Sequence, residues 1–249
     1  MRIRKKAPKA ALAKPPLYLI GYSFSAPSAD ELKIWYDLEY GGPLTLRQSG
    51  QPGGLSAAHG PWQARLTISL PAEEADSVSQ QSMWDHRNVG AVTAAASAPH
   101  TAPDTVLFAA RLARGLTLLT QGTALDQVTR RYSNPSDWSD RPLTVFRLHD
   151  HLDVTQGEVD DERHDWFHTL GMSKFGLDEL EIWQSKGLPA DSPKHVLAET
   201  ADHILQQGIN PKVGSSMAIP STGRTVSIDN HRTATVQQTQ RIFRRIVIE

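Results

Sequence analysis

The sequence predicts an α+β fold of two sheet-and-helix modules, ferredoxin-like or related sandwiches, with mostly antiparallel strands. Short strand-like runs rich in Val, Ile, Leu and aromatic residues recur along the 249 residues, and helical periodicity is confined to a few long stretches between them. Gly, Pro, Asn and Ser clusters punctuate the connections. The length suits one large domain or two small ones, at roughly 100 to 200 residues each. The expected division is a disordered basic arm over 1–16, an N-terminal α+β module over 17–148, an acidic His-bearing connection over 149–165 and a C-terminal α+β module over 166–249.

Leu17 to Phe24 is an apolar and aromatic run bounded by prolines, which suits a buried strand. Ser28 stands three residues before Glu31, the spacing at which each side chain satisfies an orphan amide of the other residue. Leu32, Trp35, Tyr36 and Glu39 follow at helical intervals, and Gly41 is placed to end the helix. Six glycines and three prolines in 41–61 predict a mobile loop, interrupted by a brief strand near Leu44 to Arg47. Ala64 to Leu70 alternates so that Leu66, Ile68 and Leu70 share one face, and Val89 to Ala96 is its expected neighbour.

Pro103, Asp104 and Gly122 bracket a helix that carries Val106, Leu107, Ala110, Leu116 and Leu119. Leu180 to Trp183 is strand-like. Ser192 and Pro193 open a helix whose Val196, Leu197, Ile204 and Leu205 share a face before Gly208 stops it. Thr225 to Ile228 and Arg241 to Ile248 supply further strands. Residues 30–35 and 178–183 differ at one position, but their flanks do not align. The first copy is read as helical and the second as extended, so the match is read as chance, with a distant duplication as the alternative.

Six cations and no acid occupy residues 1–16, while the whole chain is −1, so the body carries −7. A composition of 39% hydrophobic and 21% charged residues describes a soluble globular protein. The absence of cysteine excludes disulfides, thiolate metal sites, iron–sulfur clusters and cysteine nucleophiles. No apolar run approaches the ~20 residues that span a bilayer, and no apolar segment with a small-residue cleavage site marks a secretory signal. The arm shares its lack of acids with organelle transit peptides, but Pro8, Pro15 and Pro16 oppose a helix there and serine is missing. The expected setting is the cytoplasm of a bacterium.

Residues 149–168 concentrate the unusual chemistry: His149, Asp150, His151 and Asp153, then Glu158, Asp160, Asp161 and Glu162, then His164, Asp165 and His168. On a strand, His149, His151 and Asp153 would share a side and offer nitrogen and oxygen ligands to a divalent ion. On a helix, His164 and His168 would share a face, with Asp165 where the general base stands. This resembles the His-Glu-x-x-His motif of metalloproteases over five residues, with Asp in place of Glu. Equally, Trp166, Phe167 and Leu170 suit a strand running toward Gly171, for which the protease analogy fails. Gly171 to Gly176 encloses Ser173 and Lys174, misses the nucleophile-elbow pattern by one residue, and is read as a glycine-bounded hairpin with Phe175 packed inward. Asn134 to Trp138 is explained by turn chemistry. Phosphate-loop and dinucleotide fingerprints are absent.

The expected function is therefore a non-catalytic binding or interaction module with a protein partner, no cofactor and no membrane association. Its contacts are assigned to Trp84, the loop 41–61 and the arm's Arg2, Arg4, Lys5 and Lys6. Two alternatives stand beside it. One is a hydrolase holding a divalent metal such as zinc on His149, His151, Asp153, His164 and His168. The other is polyanion binding through the arm, with Arg241, Arg244 and Arg245 in support; the acidic body disfavours nucleic acid. An arm held by the body's own acidic stretch 158–165 is a further possibility.

Overall fold

The computed structural model describes residues 17–50, 54–71, 88–94, 101–208 and 210–248. The arm with Arg2, Arg4, Lys5 and Lys6, and Trp84, fall outside these residues, as do the contacts expected of them.

Among the described residues, two mostly antiparallel sheets carry helices in a mixed α+β arrangement. The first sheet holds β1 (Tyr18–Tyr22), β2 (Thr45–Gln48), β3 (Gly54–His59), β4 (Trp62–Pro71), β5 (Asn88–Ala94), β6 (Thr123–Asp126) and β7 (Tyr132–Ser133), in the order β2-β3-β4-β5-β1-β6-β7. The second holds β8 (Asp153–Gly157), β9 (His164–Leu170), β10 (Glu179–Ser185), β11 (Ser216–Ile219), β12 (Arg224–Val236) and β13 (Thr239–Ile248), in the order β11-β12-β13-β10-β9-β8. Its β10–β13 pair is parallel and its other pairs are antiparallel. The helices are α1 (Ala29–Tyr40), α2 (Pro103–Thr120), the short α3 (Pro135–Ser139) and α4 (Asp191–Gln207).

Period-two alternation sorts β1: Tyr18, Ile20 and Tyr22 join the core under α2, while Leu19 packs on the other side with Val89 and Leu125. α2 is buried from Thr105 to Thr117 without interruption, because it is covered all round. β1, β4 and β5 lie under it and α1 beside it. The connection 138–144 crosses its remaining side. There the Arg111 Nε and Nη2 atoms donate to the carbonyls of Leu143 (2.8 Å) and Thr144 (2.7 Å), and Arg114 Nε donates to that of Trp138 (3.0 Å). In the second sheet α4 buries Val196, Leu197, Ala201, Ile204 and Leu205 against Phe167, Leu180, Ile182, Ile228 and Ile246.

Most sequence expectations map onto these elements, with informative departures. Ser28 and Glu31 form the reciprocal cap of α1, and Gly41 ends it in the left-handed conformation. The loop 41–61 contains a second strand, β3, that its glycines concealed: Leu55 and Ala57 alternate into the core and pair with β4. α2 ends through a left-handed Gln121, one residue before the expected Gly122. α4 starts at Asp191, with Ala190 as cap and no side-chain cap bond. The stretch 149–165 supplies β8 and the first two residues of β9 to the second sheet. The near-identical hexapeptides lie in α1 and in the entry to β10, one helical and one extended.

The halves meet through Lys174, in the 3-10 turn Met172–Phe175 between β9 and β10. Its ammonium is fully buried, pairs with Asp126 of β6, donates to the His151 carbonyl at 2.7 Å, and lies 5.8 Å from the centre of the Tyr18 ring. Val106 of α2 reaches into the second core, and the Thr101 amide donates to the Phe175 carbonyl at 3.1 Å.

Candidate functional site

The face of the second sheet opposite α4 is built by register alone. Strand alternation puts Glu179, Glu181 and Trp183 of β10 on one side and Leu180 and Ile182 on the other. His168 lies across from Glu181 and Trp166 across from Trp183 in β9, Thr155 and Gly157 of β8 continue the rows, and Phe243 of β13 stands between Glu179 and Arg232 of β12. An antiparallel pair keeps directly opposed side chains on the same side. These strands thereby gather two glutamates, two arginines, a histidine and three large aromatic rings.

Glu181 is wholly buried. The Trp166 indole N–H donates to it at 2.7 Å, and Arg232 grips both carboxylate oxygens through Nε (2.9 and 3.0 Å) and Nη2 (2.7 Å). The Arg232 guanidinium carbon also lies 4.8 Å from the centre of the Trp166 ring, 5.2 Å from Trp183 and 5.8 Å from Phe243. Arginine suits such a slot because its planar cation stacks on rings while its fork meets a carboxylate. Its side chain nevertheless remains 35% exposed.

Glu179 is saturated from within. Thr169 Oγ1 (2.8 Å) and the successive amides of Gly171 (3.0 Å), Met172 (3.1 Å) and Ser173 (3.2 Å) donate to its carboxylate, and Arg241 Nη1 approaches at 3.5 Å. The 3-10 turn is thus a nest for an internal anion. Gly171 makes the turn possible: its φ is +136°, and a Cβ there would lie 2.5 Å from the His151 carbonyl oxygen. Arg241 Nη2 continues to the Val128 carbonyl of the first half at 2.6 Å.

His168 stacks on Trp166 with ring centres 4.2 Å apart and meets Phe243 edge-on at 5.6 Å. His151 stacks on Phe146 at 5.0 Å. Each is 1% exposed, and among the described residues neither ring nitrogen of either has a hydrogen-bond partner. Burial, reinforced by Lys174, Arg131, Arg141 and His149, lowers the His151 pKa to about 3. Burial with Arg241 and Arg232 lowers that of His168 to about 4. Both are neutral at pH 7.

The four histidines and one aspartate singled out as metal ligands are dispersed. His149 is exposed on a 3-10 turn, His151 is buried beside Phe146, and Asp153 pairs with Arg131. His164 Nδ1 hydrogen-bonds Asp161 at 3.0 Å. Because β9 is a strand, His164 and His168 share a side yet stand ~13 Å apart at about 3.3 Å per residue. Among the described residues, no three His, Asp or Glu side chains are grouped to hold a metal ion. Ser173 is exposed, and Lys174 is committed to Asp126 and His151. The face assembled by Glu179, Glu181, Trp166, Trp183, Arg232 and Arg241 was not anticipated. Its signal was present in Glu179-Leu180-Glu181-Ile182-Trp183, where carboxylates occupy alternate positions of an otherwise apolar strand.

Residues 152–236, about a third of the chain, match the C-terminal model of a family described as a protein of unknown function (DUF4026). The matched stretch runs from the residue before β8 to the last residue of β12 and contains Trp166, Glu179, Glu181, Trp183 and Arg232. No curated protein and no solved structure matches the chain.

Proposed function

We propose that the chain is a non-catalytic binding module that takes a protein partner on the helix-free face of its second sheet. The observation that carries this reading is the half-open rack in which Arg232 is held between Trp166, Trp183 and Phe243 while Glu181 fixes its fork. Tryptophan and arginine dominate the energetics of protein interfaces. A guanidinium already clamped by a buried carboxylate loses little side-chain freedom when a partner arrives. The carboxylates of the face are consumed by internal donors, which suits recognition better than proton transfer.

The test compares the full chain with Trp183→Ala, whose side chain is only half-buried, as baits for the same cellular extract, followed by hydrogen exchange on any recovered complex. The expected result is a partner whose recovery falls at least tenfold with the variant and which protects amides in 179–185 and 230–245. Equal recovery by both baits, or protection elsewhere, removes the proposal.

A further inference from the structure

β13 is paired along its whole length on one side and only partly on the other. β12 accompanies it from Thr239 to Ile248, whereas β10 meets it only at Phe243, Arg244 and Arg245. Among the described residues, the four residues Thr239–Ile242 therefore have an unpaired flank, and beside it lies a cleft of about 260 Å³ walled by Ser173, Leu177, Glu179, Gln240, Arg241 and Ile242.

The hairpin turn determines which backbone groups face that cleft. Gln237 and Gln238 form a two-residue connection with φ of 50° and 63°, the type I′ geometry. In such a hairpin the closing pair, Val236 and Thr239, exchanges both of its hydrogen bonds, and the pattern alternates from there. Arg241 and Phe243 thus spend their amides on β12, while the N–H and C=O of Gln240 and the N–H of Ile242 point into the cleft. Among the described residues, neither amide has a hydrogen bond to a turn or loop. A second and independent observation lies in the same cleft. Arg241 is 8% exposed, its Nη1 and Nη2 atoms are engaged, and its Nε has no partner among the described residues. A buried donor left open calls for an acceptor, which the described residues do not supply.

We propose that this edge receives an extended peptide segment of the partner, which adds to β13 as a short strand and places a carbonyl or carboxylate oxygen near Arg241 Nε. The inference rests on the binding-module reading and names the conformation of the partner. Alternating backbone donors and acceptors along an open strand fit another main chain, because only an extended chain repeats the same spacing. Phe243 links the two regions: it belongs to the ring rack and directly follows the open segment.

The experiment pans a displayed library of linear dodecapeptides against the full chain and then uses the best peptide in synthetic form. The expected peptide binds with a micromolar Kd and loses at least tenfold in affinity when alternate backbone nitrogens are methylated. Gln240→Pro should weaken it similarly while leaving the thermal midpoint within about 2 °C, because the lost N–H serves no bond to β12. If that variant fails to fold, the methylation series on the unaltered chain still decides. An empty selection, binding indifferent to every methylation, or full binding by a folded Gln240→Pro overturns the proposal. A peptide mapped by hydrogen exchange to the ring rack alone sinks the edge but leaves the binding-module reading intact. Equal partner recovery by the unaltered chain and by Trp183→Ala would instead sink the broader reading.

Discussion

In the first sheet, β1, β4 and β5 lie under a helix buried on every side, and the core between them is an apolar cluster. In the second, α4 covers one face in the same manner, but the other is held by Glu179, Glu181, Arg232, Arg241, Trp166 and His168. Apolar packing is non-directional, so the loss of one neighbour costs in proportion to the cavity left. A polar network behaves differently: each group was stripped of water on the condition that its partners were present, so removing one leaves the others uncompensated. The same protein thus contains one core in which a lost group costs by the volume it leaves and one face in which it costs by the partners it strands.

The largest effect should come from breaking that condition. Glu179→Ala strands the buried Arg241 cation, three turn amides and the Thr169 hydroxyl, and should lower unfolding free energy by about 3 to 5 kcal/mol. A buried leucine of the first core, such as Leu112→Ala, should cost about 2 to 5 kcal/mol through its cavity. Urea denaturation of both variants sharpens the contrast if the polar substitution also abolishes the 3-10 turn's amide protection. A Glu179→Ala cost under about 1 kcal/mol would show the network to be incidental.

Acid is the next lever. The unfolded chain protonates its histidines near 6.5, while folded His168 and His151 hold out to about 4 and about 3. Between those limits the unfolded state binds more protons, so stability is full above pH 6.5 and is lost as pH falls toward 4 and then 3. At about 1.4 kcal/mol per pH unit per histidine, the loss should reach about 3.5 kcal/mol from each by pH 4. The double variant His151→Phe/His168→Phe should flatten the profile over that window in denaturation melts. An unchanged slope would mean that other groups control it.

Two glycines give the smallest and most local comparison. A Cβ at Gly115 of α2 would lie 2.5 Å from Trp35 Cζ3, and one at Gly157 of β8 would lie 2.3 Å from Trp166 Cε3. Helix propensity alone would reward Gly115→Ala by about 1 kcal/mol, but overpacking costs about 1 to 3 kcal/mol. Both alanine variants should therefore destabilise by roughly 1 to 2 kcal/mol in melts. Gly157→Ala should also shift the near-UV signal of the Trp166–His168 stack and Gly115→Ala should not. A stabilised Gly115→Ala would show that Trp35 moves aside freely.

The elements legible in the sequence were those with local causes. Ser28 and Glu31 announced a helix start, Leu66 and Ile68 alternated, and Gly208 ended α4 where expected. β3 was hidden because its inward residues, Leu55 and Ala57, are few and its flanks are glycine-rich, so only pairing with β4 reveals it. The histidines illustrate the limit for sites. His149, His151, His164 and His168 are neighbours in sequence, but the turn and strands that carry them hold them apart. The residues that do converge, Glu181 with Arg232 and Glu179 with Arg241, lie 51 and 62 positions apart. Their meeting is a property of strand order, which no local pattern encodes.

Lys174 gives the two halves a shared counter-ion account: its ammonium belongs to the second half and its carboxylate partner, Asp126, to the first. Severing the chain between them would maroon a desolvated charge on one fragment, away from the carboxylate that offsets it.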